Sequence, residues 1–289
     1  MRVLILGAGG MLGHKVWQVF RDRFDCRAAV RTRLPLPLFD DERVIDGFHA
    51  HDSESVKRLI GEARPEVVVN CVGVVKQLAA AHDPIASITL NSLFPHVVAR
   101  MCAEAGARMI HVSTDCVFAG TKGNYDELDL PDATDLYGRS KLLGEVTGNE
   151  LTIRTSIIGR ELRTSNGVVE WFLSNRGGSV HGFTKAVFSG VTTATLATML
   201  ADAIEQHPEL HGLYHVAGDA ISKYDLLVML NEAMSAGVTI TPDDGVVIDR
   251  TLDPARFRSA TAIVPPAWPE MIAALAAESP QYERWRTTE

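Results

Sequence analysis

Arg2-Val-Leu-Ile-Leu6 runs straight into Gly7-Ala-Gly-Gly-Met-Leu-Gly13, after which Lys15 to Phe20 has helical spacing. A short apolar run bounded by glycine predicts a strand buried on both faces of a parallel sheet. Gly7, Gly10 and Gly13 stand in a G-x-x-G-x-x-G spacing. In such a turn the first glycine permits the tight bend. The second lets backbone amides, here those around Met11 and Leu12, approach a pyrophosphate, and the third lets helix and sheet pack closely. The helix N-terminus adds donors and a dipole that favours an anion. Strand, glycine turn and helix in this order predict a dinucleotide-binding α/β unit.

Working outward, apolar runs at 26–30, 44–48, 65–73, 107–115 and 151–156 read as further strands. Helical stretches separate them: one at 53–63, with Asp52 as its N-cap, and two spanning roughly 84–105. The alternation predicts a doubly wound parallel (Rossmann) sheet. Beyond Ser156 the pattern loosens, with helices expected at 168–175, 195–205 and 224–235 and strands at 179–183 and 213–218. The 213–218 run reads as a last strand returning to the first sheet. The expected division is a dinucleotide-binding domain of residues 1–156 plus about 192–220, and a smaller α/β substrate-binding domain of 157–191 and 221–289.

The chain has 289 residues, 46% hydrophobic and 22% charged, room for one large α/β unit or a domain with a smaller companion. A net charge of −8, an isoelectric point near 5.7 and scattered basic residues argue against nucleic acid as a partner. No apolar run reaches the roughly 18 residues of a membrane span, so no membrane association is expected. A strand pattern begins directly after Met1, with no leader to discount, and the four cysteines lack metal-ligand spacing. Reduced thiols in a cytoplasm, and no metal, are therefore expected.

The chemistry falls at the C-terminal strand ends, where ligands sit in such sheets. Arg31 and Arg33 follow the second strand, where a site for the unphosphorylated cofactor would carry an acid. They suit a 2′-phosphate and favour NADPH, with NADH as the alternative. Asn70, Cys71, Val72 and Gly73 end the fourth strand and are expected against the cofactor. Asn91 is a candidate brace for the catalytic groups, and the acidic loop 120–135 reads as a mobile surface segment. Tyr137 and Lys141 lie four apart on one helix face. A nearby ammonium favours tyrosinate and so lowers the phenol's pKa from about 10. Thr114, delivered by the fifth strand, completes a set able to hold a carbonyl and protonate its oxygen while a hydride reaches its carbon.

The three glycines, Ser-Thr-Asp-Cys-Val-Phe-Ala-Gly at 113–120, Tyr-Gly-Arg-Ser-Lys-Leu-Leu-Gly-Glu at 137–145 and Arg154-Thr-Ser156 closely resemble extended short-chain dehydrogenase/reductases. Among these the chain is most similar to dTDP-4-dehydrorhamnose reductases and allied nucleotide-sugar reductases. The resemblance implies reduction of the 4-keto group of a nucleotide-linked 6-deoxyhexose in surface-polysaccharide sugar biosynthesis. Thr114 then polarises the carbonyl, Tyr137 is the general acid, and Lys141 tunes it while bonding the nicotinamide ribose. It places Lys76, Thr114, Asp115, Cys116, Ile157 and Arg250 at the substrate, Arg250 gripping the diphosphate, and it implies a homodimer. Reductases for dTDP sugars usually carry Tyr in place of Cys116 and Trp in place of Ile157, so a UDP-linked 4-keto deoxy amino sugar competes as substrate. A 4-epimerase or dehydratase, and a non-catalytic regulatory subunit like the beta subunit of methionine adenosyltransferase, are the alternative readings.

Overall fold

Side chains alternate across a strand, and the first strand, β1 (Arg2–Leu6), feeds two different cores. Val3 and Ile5 pack on one face with Trp17, Phe20 and Leu196, whereas Leu4 and Leu6 pack on the other with Leu59, Phe94 and Val98. That double burial is the cause of the unbroken apolar run. The computed structural model describes residues 1–75 and 83–287.

From β1 the chain passes through α1 (Gly13–Phe20), β2 (Asp25–Ala29), β3 (Val44–Ile45), α2 (Ser53–Ala63) and β4 (Val67–Asn70). Next come α3 (Pro84–Ser87), α4 (Phe94–Ala105), β5 (Arg108–Val112), α5 (Leu136–Leu143), β6 (Leu151–Arg154), β7 (Ile157–Ile158) and α6 (Val168–Leu173). The remainder is β8 (Ser179–Phe183), β9 (Ala186–Phe188), β10 (Val191–Thr192), α7 (Thr193–Gln206), β11 (Gly212–His215) and β12 (Ile221–Ser222). It ends with α8 (Lys223–Ala233), β13 (Thr239–Asp243), β14 (Ile248–Asp249), α9 (Ala255–Thr261) and α10 (Trp268–Thr287).

Seven strands form one parallel sheet in the order β11-β6-β5-β4-β1-β2-β3. The order reverses direction at β1, and β1 and β4 meet at this switch point, where such sheets leave a crevice for ligands. α1 and α7 cover one face, α2 and α4 the other. Smaller sheets, β7 with β10, β12-β9-β14 and β8 with β13, build the structure beyond the C-terminal edge. Among the described residues no helix is long and apolar enough to cross a membrane.

Asp52 caps α2 as expected, its carboxylate accepting the N–H groups of Glu54 and Ser55. Other expectations are corrected. The third strand stops at Ile45 because the chain turns through Gly47 at a φ of +76°. The two helices expected over 84–105 are one continuous helical run whose middle, Ile88–Leu93, is π-helical. Pro95 has no N–H to offer the carbonyl of Asn91, and Phe94 donates five residues back to Thr89, which widens the turn. The acidic loop is pinned rather than mobile at its centre. Tyr125 is buried, stacks on Phe118 with centroids 4.1 Å apart, and donates its N–H to Thr251. Leu128 and Leu130 at the loop tip stand in solvent.

Candidate active site

The glycine turn comes from β1 and opens α1. Gly7 bends the chain at a φ of +83°, and a Cβ on Gly13 would fall 2.1 Å from the Gly7 carbonyl oxygen, so both positions require glycine. At Gly10 an added Cβ would meet that oxygen at an ordinary 3.5 Å, and at Gly9 it would meet nothing within 4 Å. The open side of the turn is the side a pyrophosphate needs. The first turn of α1 carries no acidic side chain to repel an anion. Gly7 in turn abuts residues 71 and 72, since its added Cβ would lie 3.0 Å from the Val72 side chain. These residues fit a dinucleotide.

Lys141 reaches the same edge. Its ammonium donates to the Val112 carbonyl at 2.8 Å and lies 4.0 Å from where a Gly73 Cβ would be. A Cβ there would also meet the Asn91 Oδ1 at 3.2 Å, so glycine lets Asn91 and the lysine close on this turn. Burial lowers the Lys141 pKa to about 8, with Glu145 and Cys71 opposing the fall. The helix is seated by Asp135, which caps the Gly138 N–H at 2.9 Å, and by Gly138 itself. A Cβ there would fall 2.2 Å from the Cys116 carbonyl oxygen, so only glycine lets α5 press onto the loop after β5.

That loop delivers Thr114, extended at φ −139° and ψ 152°, whose hydroxyl accepts the Cys116 N–H and donates to Asp115 Oδ1, each at 3.1 Å. The same hydroxyl is close enough to the Tyr137 phenol to act on its charge state. The acidified phenol expected from the Tyr/Lys spacing is not found. Burial pushes the Tyr137 pKa up, the neighbouring Cys116 adds to the rise, and the Thr114 hydroxyl opposes it. Lys141 does not offset burial here: its ammonium is turned to the Val112 carbonyl. The phenol therefore holds its proton firmly at neutral pH.

The other expected residues divide by what their side chains bond. Asn70 is buried and occupied internally, accepting the Val72 N–H at 3.0 Å and pairing with His111 at 3.1 Å. It shapes the turn rather than presenting an amide to a ligand. Cys71 has its pKa pushed up to about 12 by burial, the mark of an unreactive thiol. Asn91 is the brace: it bonds both the N–H and the carbonyl of Val74 and the Ser140 hydroxyl, tying the end of β4 to α5. Arg31 is exposed without a side-chain partner among the described residues. Arg33 is turned back, its guanidinium donating to the carbonyls of Phe39, Asp41 and Val44. They part company because the loop at 39–44 folds back and supplies three carbonyls to Arg33 alone.

Arg250 donates to the carbonyls of Phe118 and Ala119, beside the buried Asp115, and its charge restrains the rise that burial imposes on the Asp115 pKa. Arg256 lies over the Tyr214 ring and Arg258 bonds the Ala217 carbonyl. Ile157 sits half-buried on β7, paired with Val191. Lys76 lies outside the described residues. Phe48, just beyond the third strand, is a core side chain against Phe94.

Two participants escaped sequence reasoning. Lys223, first residue of α8, sits 3.7 Å over the Phe188 ring and acts electrostatically on Asp115 and Cys116. It brings a desolvated cation to the loop that carries Thr114. Glu145 and Arg154, ends of two motifs, form a buried two-point ion pair at 2.8 Å per contact, to which Ser113 adds a 2.7 Å hydrogen bond. They clamp the end of α5 against β5 and β6.

Comparison with known proteins identifies the family of this chain. The chain is 28% identical over 247 residues to the methionine adenosyltransferase 2 subunit beta of Rattus norvegicus, covering 81% of this chain and 72% of that one. It is 28% identical over 271 residues to a probable low-salt glycan biosynthesis reductase of Haloferax volcanii, covering 89% and 88%. Among solved structures, a dTDP-4-dehydrorhamnose reductase from Bacillus anthracis in complex with NADP superposes with a TM-score of 0.80 at 21% identity, covering 96% of this chain and 99% of that one. The model of the RmlD substrate binding domain matches residues 1–278, and this chain belongs to that family of nucleotide-sugar reductase-like proteins.

Proposed function

We propose that this chain is a cytoplasmic NADPH-dependent reductase of the 4-keto group of a nucleotide-linked 6-deoxyhexose, in the making of surface-polysaccharide sugars. A dTDP-linked 4-dehydrorhamnose-type sugar and a UDP-linked 4-keto deoxy amino sugar are the two substrate classes. The juxtaposition of Thr114 with Tyr137, on the edge that also holds Lys141 and the glycine turn, carries this reading. The NADP of the Bacillus anthracis structure supports the choice of cofactor.

Bound NADPH supplies the hydride for the carbonyl carbon. The amides of Met11 and Leu12 take the pyrophosphate, Arg31 takes the 2′-phosphate, and Lys141 bonds the nicotinamide ribose. Thr114 holds the ketone oxygen. Tyr137 gives up its proton to that oxygen as negative charge develops, and a phenol that keeps its proton at neutral pH is suited to be the donor. Asp115, Lys223 and Arg250 face the substrate from the opposite wall, where the two cations suit an anionic nucleotide. Small side chains at Cys116 and Ile157 leave that wall wider than paired aromatic rings would.

The test is NADPH consumption against a panel of dTDP- and UDP-linked 4-keto sugars, with Tyr137→Phe as control. The variant keeps its NADPH affinity and loses about 10²–10⁴-fold in turnover. Near-normal reduction by it refutes the assigned acid. The likeness to the methionine adenosyltransferase subunit supports a second reading, a non-catalytic NADPH-binding subunit. NADPH binding with no consumption across the whole panel favours that one.

A further inference from the structure

His14 follows the last glycine of the turn, yet its partner is 268 residues away. The ring is fully buried. Its Nδ1 bonds the Gly10 carbonyl oxygen at 2.8 Å, and its Nε2 bonds the Tyr282 hydroxyl at 2.6 Å. A carbonyl only accepts, so Nδ1 carries the proton, Nε2 is an acceptor, and Tyr282 donates. The chain of donors runs one way, from α10 through His14 into the glycine turn. Gly10 is thus held twice, since its carbonyl also accepts the His14 backbone N–H at 3.1 Å. In a planar trans peptide the N–H points opposite to the C=O. Fixing the Gly10 carbonyl inward therefore aims the Met11 N–H outward, to the open side of the turn.

Tyr282 is itself clamped. Lys15 and Arg160 lie over its ring, 5.0 and 5.1 Å from the centroid. Lys15 pairs with Glu278 one turn earlier on α10, and Arg160 pairs with Glu170 and with Glu283. A helix near the end of the chain and the turn after the first strand are therefore one hydrogen-bonded and ionic unit.

We infer that His14 and Tyr282 are positioning residues for the dinucleotide: through the Gly10 peptide they set the Met11 amide that receives the pyrophosphate, so that α10 and cofactor binding are coupled. This rests on the reading that the glycine turn binds NADPH. Coupling of this kind is reciprocal. The cofactor must therefore tighten α10, and loosening α10 must weaken the cofactor.

The experiment is calorimetric titration of the full chain and of Tyr282→Phe with NADPH, with hydrogen exchange followed over residues 268–287. The expected result is a Kd raised about three- to tenfold in the variant, the range one net hydrogen bond spans. NADPH is expected to slow exchange in α10 of the unaltered chain and to lose that effect in Tyr282→Phe. If Tyr282→Phe folds poorly, His14→Gln is titrated instead and must show the same weakened binding. The double variant bind NADPH no worse than the weaker single variant, because both act through one carbonyl. Equal Kd values within about twofold, with equal slowing in α10, overturn the coupling while leaving the cofactor reading intact. Failure of the unaltered chain to bind NADPH overturns both.

Discussion

Lys141 donates its ammonium to the carbonyl of Val112, the residue two before Thr114, across 2.8 Å. The lysine of α5 is thereby tethered to the strand that carries the substrate-holding hydroxyl. Burial lowers its pKa to about 8, while the Tyr137 phenol is pushed the other way. Raising the pH through about 8 removes the lysine's proton first. NADPH oxidation should fall over that interval. In Lys141→Arg the falling limb should move beyond about pH 10, because a guanidinium stays charged. A limb that stays near its original pH in this variant assigns the titration to another group.

The glycines of the turn should separate fold from binding. Gly13→Ala places a methyl 2.1 Å from the Gly7 carbonyl oxygen, a backbone clash expected to cost roughly 1–3 kcal/mol in urea unfolding. Gly10→Ala meets only a 3.5 Å contact, so stability should change by less than about 1 kcal/mol. Its methyl stands on the open side of the turn, and NADPH affinity should fall at least about tenfold. Equal loss of stability in both variants would contradict the geometry.

Arg31 and Arg33 should likewise part. Arg31→Ala is expected to weaken NADPH by roughly tenfold while sparing NADH, as loss of a charged phosphate contact does. Arg33→Ala should leave that preference alone and lower stability by about 1 kcal/mol, since its guanidinium holds three carbonyls of the following loop. Titration of each variant with both cofactors decides. A shift in preference from Arg33→Ala alone would reverse the assignment.

How far the sequence could be read is clear from these residues. β1, β4 and β5 announce themselves because burial on two faces demands unbroken apolar runs, and Asp52 announces α2 because a cap is a local event. The juxtaposition of Thr114 with Tyr137 also follows from local rules, a strand end and one helix face. The charge state of Tyr137 does not. Spacing says that Lys141 is one turn away, but not that its ammonium is aimed at Val112 or that burial dominates. The His14–Tyr282 link joins opposite ends of the chain, and no local pattern encodes it. Arg31 and Arg33 look equivalent as letters until the loop at 39–44 folds back over one of them.

Three buried histidines make stability acid-sensitive. Burial is the largest cause in each: His14 is lowered to about 3, His215 to about 4, and His111 well below its usual value. Unfolded, each titrates near 6.5. Below that pH the unfolded chain binds protons that the folded chain refuses, so stability falls as pH falls from about 6.5 toward 4. Each refused proton is worth about 1.4 kcal/mol per pH unit, so the slope should approach roughly 4 kcal/mol per unit near pH 5. Urea midpoints at descending pH measure it. A flat profile between about pH 6.5 and 5 would show that these rings protonate in the folded state.

The Glu145–Arg154 clamp makes the last test, because substitutions in this pair report on both stability and chemistry. Arg154→Met leaves the Glu145 carboxylate buried with the Ser113 hydroxyl as its remaining hydrogen-bond donor, and removes a cation 5.2 Å from the Phe118 ring. Breaking a buried pair from one side typically costs about 3–5 kcal/mol, while replacing both partners with apolar residues is often neutral. Arg154→Met should therefore be markedly unstable, and adding Glu145→Leu should restore most of the loss. Strict additivity of the two changes would mean they are not a pair. Glu145 also supports the charge on Lys141. Glu145→Gln should let the Lys141 pKa fall further, and the alkaline decline in NADPH oxidation should begin at lower pH than in the unaltered chain. If the decline stays where it was, Lys141 is not the group that controls it.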